Sequence, residues 1–153
     1  MQLKPLYTLR FVYPEDWGTE LTGPGGKEEF HFFLAKGTCS GRISGTFRGA
    51  NHPRRRTDLT FAMDIQGVIE TEDGARLMLD YKGYSRAYPV GRRQIVGAAW
   101  HITSDDRYRW LNDTICTLSG EVRWPDKPRD QVTQEEVELV IDVSELIWEA
   151  PAG

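Results

Sequence analysis

Apolar and polar residues alternate along most of this chain, which is the pattern of half-buried β-strands. The N-terminal segment shows it first, because Tyr7, Leu9 and Phe11 alternate with polar residues, and Pro14 is predicted to end the strand. The C-terminal segment, residues 136–147, alternates equally well, and its valine and isoleucine content favours a strand over a helix. Between them, strands are predicted over residues 30–34, 38–48, 58–71, 76–82, 94–103 and 115–124.

Glycine, proline and aspartate separate these segments. Asp73-Gly74 predicts a tight hairpin turn, because glycine accepts the positive φ that such turns require. Gly41 and Gly45 lie within a strand segment, where glycine marks bulges or the bends of a closed barrel. Loops are predicted over residues 23–26, 51–57, 85–93 and 125–128, and Gly37 is predicted to end a strand.

The spacing of these segments predicts the fold class. Short strands joined by turns, with no strand–helix–strand units, are typical of an antiparallel barrel or sandwich. We predict an all-β chain that forms one domain over residues 1–153: a closed, calycin-like antiparallel β-barrel of eight to ten strands with one short helix. The helix is predicted over residues 105–112, with Ser104 or Asp105 as its N-cap. Trp110 and Leu111 are expected to anchor it as a plug at one end of the barrel, so Trp110→Ala should cost roughly 3–5 kcal/mol.

Composition and charge narrow the function classes. The chain has a net charge of −4 and no long apolar run, which argues against a nucleic-acid-binding protein and against a membrane span. The N-terminus has no secretory signal pattern, so a cytoplasmic location is expected. Cys39 and Cys116 have no metal-like spacing and are expected to be small buried residues. Arg54-Arg55-Arg56 either holds a phosphate or an acidic partner, or is a solvated loop.

Two segments carry a resemblance to a known family. Leu77-Met78-Leu79-Asp80-Tyr81-Lys82-Gly83 follows the Asp73-Gly74 turn, and Arg107-Tyr108-x-Trp110-Leu111-Asn112 follows the strand over residues 94–103. Together they resemble the domain of unknown function 3237, over nearly the whole chain. The resemblance implies a closed antiparallel barrel that is cytoplasmic and often oligomeric, and it implies no established reaction. Family members often carry an aromatic-Glu-Thr where this chain has His101-Ile102-Thr103, which predicts a different pocket chemistry.

Two carboxylates are candidates for proton transfer. Asp64 lies in the middle of the longest predicted strand, and Asp80 lies in the facing strand of the hairpin. If both side chains point into one cavity, each raises the pKa of the other, which suits a general acid or base. The alternative is that both face solvent, as most carboxylates do.

His101 is the third candidate, because histidine changes its charge near neutral pH. It acts either as a proton donor or second base beside aromatic residues, or as a hydrogen-bonded structural residue. The three histidines are too widely spaced in sequence to indicate a metal site, and no cofactor motif is present. We predict Asp64, Asp80 and His101 as catalytic residues and Arg42, Tyr81, Trp100 and His31 as ligand-binding residues.

Three functions fit these features. The first is a cofactor-independent lyase, hydratase or isomerase that acts by proton transfer on a small, partly apolar metabolite in the barrel. The second is a non-catalytic barrel that binds a small organic ligand. The third is a structural subunit whose barrel is filled with side chains. Each of the three is compatible with a homo-oligomer that has neither nucleic-acid nor membrane partners.

Overall fold

The computed structural model describes residues 1–87 and 93–153 of the chain. The predicted loop over residues 85–93 therefore lies partly outside the described residues, and its first part is strand up to Ala87. In what is described, no helix is long and apolar enough to cross a membrane. The strands in chain order are β1 (Gln2–Asp16), β2 (Thr19–Gly23), β3 (Gly26–Phe30), β4 (Phe33–Gly41), β5 (Gly45–Asn51), β6 (Arg54–Arg55), β7 (Phe61–Thr71), β8 (Arg76–Ala87), β9 (Arg93–Ile102), β10 (Cys116–Arg123) and β11 (Glu138–Ile147).

The main sheet closes into an antiparallel barrel, as the alternating pattern predicts. Its strands follow the order β5-β4-β1-β11-β10-β9-β8-β7, and β5 pairs with β7 to complete the ring of eight. The short β6 extends the sheet beside the first residues of β7, and β2 and β3 form a separate hairpin. A closed ring leaves no unpaired edge along the main part of the sheet, which protects it from edge-to-edge association.

The apolar residues of the alternating strands point into the barrel. On β7 the residues with odd numbers point inward, so Ile65 and Ile69 are fully buried while Gln66 and Glu70 are exposed. The same alternation holds on β8, where Leu77, Leu79 and Tyr81 are buried. Burying such side chains is worth about 1.5–3 kcal/mol each relative to exposure, so this face fixes the register of the strands.

Two glycine features shape the barrel. Gly74 has φ of 90° in the turn between β7 and β8, as the Asp73-Gly74 pattern predicts. Gly83 of β8 faces Gly97 of β9, and a Cβ at Gly83 would lie 2.2 Å from the backbone oxygen of Val96. The two strands approach each other this closely because neither residue carries a side chain, which permits the sharp bend of a closing sheet.

Several local predictions are wrong, each for a physical reason. Gly37 does not end a strand, because it lies within β4 opposite Phe11, where the backbones approach too closely for a side chain. Pro14 lies inside β1, at a register shift after Val12 where the ladder is interrupted. The predicted loop over residues 23–26 is a turn in the structure, but it joins β2 and β3, two strands that the alternating pattern does not predict because nearly all of their residues are exposed.

One end of the barrel is closed by the segment that follows β9. Its helix is a single 3₁₀ turn, Arg109–Asp113, that begins after Tyr108 rather than after Ser104 or Asp105. Leu111 is fully buried in the core, as predicted, whereas Trp110 is 40% exposed and does not anchor the plug. The Trp110 ring lies on the surface with the Arg42 guanidinium 5.0 Å from its centre.

Hydrogen bonds hold this segment on the barrel. The Asn112 side chain accepts from the backbone N–H of Thr103 at 2.9 Å and donates to its carbonyl at 3.0 Å. Tyr108 donates to the Asp73 carboxylate at 2.6 Å, and Arg107 donates to the Asp73 carbonyl at 3.0 Å. The Arg107-Tyr108-x-Trp110-Leu111-Asn112 pattern thus fixes the plug to the β7–β8 turn and to the end of β9.

Candidate functional site

His101 lies on the inner face of β9 and is 1% exposed. Its Nε2 atom is 2.7 Å from the hydroxyl oxygen of Tyr7 on β1, and the two rings meet edge to face. Burial lowers the pKa of His101 to about 4, because the charged imidazolium loses its hydration inside the barrel. The ring is therefore neutral near pH 7. It can accept a proton at one nitrogen while it donates a hydrogen bond from the other.

Two buried polar atoms on the inner face have no partner. In the described part of the chain, neither Nδ1 of His101 nor the hydroxyl oxygen of Tyr81 makes a hydrogen bond. Tyr81 is fully buried on β8 opposite Ala99, so it is a diagonal neighbour of His101 on the adjacent strand. Such neighbours have Cβ atoms roughly 7–8 Å apart, within reach of long side chains. Buried polar groups are nearly always paired, so these two atoms indicate a place for a further hydrogen-bonding group.

Tyr81 belongs to a series of phenols inside the barrel. Burial raises its pKa well above the usual value, and the nearby Tyr13 and Tyr7 phenols raise it further. Tyr13 accepts a hydrogen bond from the Asn51 side chain at 2.9 Å. Tyr13 and Asn51 lie toward the end of the barrel opposite Leu111, whereas Tyr7 and His101 lie toward the plug. Polar groups therefore follow the inner wall from one end of the barrel to the other.

The structure contradicts the predicted location of the two carboxylates. Asp64 and Asp80 lie on the outer face of the sheet, because their strands direct odd-numbered side chains inward. The Asp64 side chain is 48% exposed, with one carboxylate oxygen 4.0 Å from the Lys82 ammonium nitrogen. Asp80 is half-buried, opposite Gln66 on one side and Trp100 on the other. The prediction that they share a cavity is wrong, and a catalytic role for either stays a prediction.

The four predicted ligand-binding residues lie in different places. Tyr81 is inside the barrel, whereas Trp100 lies on the outer face next to Asp80. Arg42 lies outside the plugged end and forms a salt bridge with Glu145 at 3.1 Å. His31 precedes β4 at the opposite end of the barrel, where its ring stacks on Phe33 and meets Phe61 edge to face. Of the predicted set, only Tyr81 and His101 are brought together inside the barrel.

Sequence reasoning missed Tyr7, although its signal was present. Tyr7 has the same phase as Leu9 and Phe11 in the alternation of β1, so the pattern already placed it on the apolar face. A tyrosine on that face needs a hydrogen-bond partner when it is buried. His101, on the inner face of β9, is that partner in the structure.

Among the described residues, neither the cysteines nor the potential metal ligands form an additional candidate site. Cys39 and Cys116 are free and buried, as predicted, and burial raises the pKa of each thiol to about 11. Both are therefore protonated near neutral pH and are poor nucleophiles. Within residues 1–87 and 93–153, no group of three or more His, Cys, Asp or Glu side chains is arranged to hold a metal ion.

Comparison with known proteins gives a family and a fold. The sequence profile of a family described as protein of unknown function (DUF3237) matches residues 1–146. No curated protein sequence matches the chain. A β-barrel-like protein of Acinetobacter baumannii is 21% identical, with a TM-score of 0.68 and 94% of each chain covered.

Two further solved structures have the same fold. A protein of unknown function from Clostridium acetobutylicum is 12% identical, with a TM-score of 0.72, and the match covers 96% of this chain and 100% of that one. A protein of Penicillium herquei that is described as an enzyme is 19% identical, with a TM-score of 0.58 and 93% of each chain covered. At these identities the similarity establishes the fold alone.

Proposed function

Since the chain belongs to the DUF3237 family, whose function is unknown, we propose from its inner wall that it binds a small, partly apolar organic molecule inside the barrel. The observation that carries this proposal is the pair of fully buried, unpartnered atoms, His101 Nδ1 and Tyr81 Oη. Each unsatisfied group costs about 1–3 kcal/mol in a folded protein. A hydroxyl or carbonyl group of a bound molecule would recover that free energy by bonding to both.

The residues around these two atoms indicate the chemical character of the rest of the ligand. Leu79, Phe47 and Ile65 are buried on the same inner face and offer no polar atoms. Ligand sites of this kind combine an apolar lining with a few polar groups that fix orientation. The part of the ligand beside these atoms is therefore mostly hydrocarbon, with one hydrogen-bonding group that contacts them. The proposal needs no metal or organic cofactor, and homo-oligomer formation stays a separate prediction.

Tyr81→Phe tests the proposal, because it removes only the hydroxyl. We expect 2-octanone and 1-octanol to bind the wild-type protein saturably in an NMR titration, and we expect Tyr81→Phe to weaken binding about fivefold, the value of one neutral hydrogen bond. Without a ligand the variant should be as stable as wild type or slightly more so, because an unpaired hydroxyl is gone.

Tyr84→Phe is the matched control for this experiment. Tyr84 lies on the same strand but points outward and is 49% exposed. The control should bind both probes like wild type. Binding that is absent in wild type, or that is equal in Tyr81→Phe and Tyr84→Phe, would count against an interior ligand and would favour a bound water at these atoms.

A second candidate function is a cofactor-independent lyase, hydratase or isomerase. It is favoured by the 2.7 Å contact between Tyr7 and His101, which fixes one ring nitrogen and leaves Nδ1 directed to another partner. In this mechanism Nδ1 accepts a proton from the ligand, and Tyr7 orients the imidazole through Nε2. The base is then His101 rather than Asp64, which lies on the outer face. The Penicillium herquei protein of the same fold, which is described as an enzyme, supports this candidate.

Hydrogen–deuterium exchange separates the enzyme from the binder. If His101 acts as a base, the protons next to the carbonyl of 2-octanone should exchange in deuterium oxide faster with wild-type protein than in buffer. General-base catalysis typically contributes about 10²–10⁴-fold, and this acceleration should disappear in His101→Gln. If the wild-type protein binds 2-octanone saturably but its protons exchange at the buffer rate, the binding function is supported and the catalytic function is rejected.

A further inference from the structure

The barrel has a rim at the end opposite Leu111, formed where β7, β8 and β9 meet. Phe61 begins β7 and pairs with Ser85 of β8, and Arg93 begins β9. The Arg93 side chain crosses this rim, because its Nη1 atom donates to the Ser85 carbonyl at 3.1 Å and its guanidinium lies 5.0 Å from the centre of the Phe61 ring. Arg55 of β6 is the direct partner of Phe61 in the sheet. One arginine therefore lies over the Phe61 ring, and a second occupies the paired position on the neighbouring strand.

The rim carries more positive than negative charge. In the described residues no carboxylate lies within ion-pair distance of Arg93. The Glu29 carboxylate is shared by Lys27 at 2.8 Å, Arg55 at 3.4 Å and His31 at 3.5 Å. Lys27 is also paired with Glu20 at 2.8 Å, but among the described residues Arg93, the more buried arginine, has no acid within ion-pair distance.

The electrostatic environment of Arg93 agrees with this geometry. Partial burial lowers its pKa, and the nearby positive charges of Arg55 and Arg129 lower it further. A cation whose charged neighbours are also cations gains from an added anion. Arg55 also lines a cleft of about 750 Å³ in which Lys27, Arg54 and Arg56 outnumber the one acid, Glu29, so an anion that approaches from solvent meets mostly positive charge.

We propose that the rim around Phe61 binds a carboxylate, so that the ligand of this barrel is a small amphiphilic acid with its charged end at Arg93 and Arg55 and its hydroxyl or carbonyl group at Tyr81 and His101. This inference rests on the proposed interior binding. Ser85 and Tyr81 are four residues apart on β8, or roughly 13 Å along the strand, and barrel tilt reduces this to about 10 Å along the axis. A linear chain of about eight carbons has that length.

The probes are 8-hydroxyoctanoate and 1,8-octanediol, which differ only in the carboxylate. We expect calorimetry at low ionic strength to show about tenfold tighter binding of the hydroxy acid by the wild-type protein, because a guanidinium–carboxylate contact is a charge-assisted hydrogen bond. In Arg93→Gln the hydroxy acid should bind only as well as the diol, while binding of the diol should not change. Arg48→Gln, an exposed arginine on the outer face of β5, is the matched control and should retain the preference. If Arg93→Gln does not fold, Arg55→Gln provides the same comparison.

The outcomes separate this inference from the proposed function. Equal affinities for acid and diol in wild type, both reduced by Tyr81→Phe, would overturn the carboxylate site and leave interior binding intact. A preference for the acid that survives in both Arg93→Gln and Arg55→Gln would place the anion elsewhere and would also overturn it. Failure of both probes while 2-octanone binds would overturn it too, whereas failure of every probe would reject interior binding itself.

Discussion

Leu111→Ala is expected to lower the free energy of unfolding by about 2–5 kcal/mol, the range for truncation of a buried leucine. Leu111 is fully buried and belongs to the core, although it lies in a short 3₁₀ turn outside the sheet. The truncation removes apolar contacts and leaves a cavity that a closed ring of strands cannot fill by collapsing. Urea denaturation followed by intrinsic fluorescence measures the effect.

Trp110→Ala is the control in the same segment. Trp110 is 40% exposed, so its removal should cost less than about 1 kcal/mol, in contrast to the 3–5 kcal/mol that its sequence position suggested. Its backbone carbonyl accepts from the Thr114 hydroxyl at 2.8 Å in either case, because that contact does not depend on the side chain. A larger loss for Trp110→Ala than for Leu111→Ala would mean that the outer surface of the plug, and not its apolar residue, holds it in place.

The alternation of apolar residues predicted the barrel because the inner face of every strand must be buried. It does not predict the β2–β3 hairpin, since that hairpin buries neither face and is joined by backbone pairing and by the ion pair between Lys27 and Glu20. The glycines show the same limit: Gly37 lies inside β4, whereas Gly41 and Gly45 bound the turn between β4 and β5, so the predicted strand over residues 38–48 is wrong. Whether a glycine continues or ends a strand depends on the pairing of β4 with β1 and β5, which the local sequence does not contain.

In the candidate site, too, the sequence predicts which residues share a strand face but not which residues from distant strands meet. Period two fixes which residues share a face, and Asp64 does lie on the same face as Ala62 and Gln66. Which of the two faces is buried depends on the residues of the other face. There, Met63 and Ile65 are large and apolar, so that face is the inner one. The contact between Tyr7 and His101 joins residues that are 94 positions apart, and the cationic rim joins four separate segments. Contacts of this kind follow from ring closure and are not present in any local pattern.

His101 should make the protein less stable below neutral pH, well before its carboxylates are protonated. Its pKa is about 4 in the folded protein and 6.5 in an unfolded chain, so between these values the unfolded state binds more protons. The stability from the neutral ring is complete above pH 6.5 and is lost as the pH falls toward 4. The full difference of about 2.5 pKa units corresponds to roughly 3 kcal/mol, of which about 2 kcal/mol is lost by pH 5.

The carboxyls whose pKa values are lowered, such as Asp105 at about 2 and Glu29, act below about pH 4.5. Urea denaturation at pH 7.5 and pH 5 should therefore show the loss in wild type and a much smaller one in His101→Gln, whose amide can still bond to Tyr7 and does not titrate. Equal stability of the wild type at the two pH values would mean that the folded barrel accepts the charged ring. Its interior would then have to supply water or a counter-charge at Nδ1, which is the atom on which the proposed binding site depends.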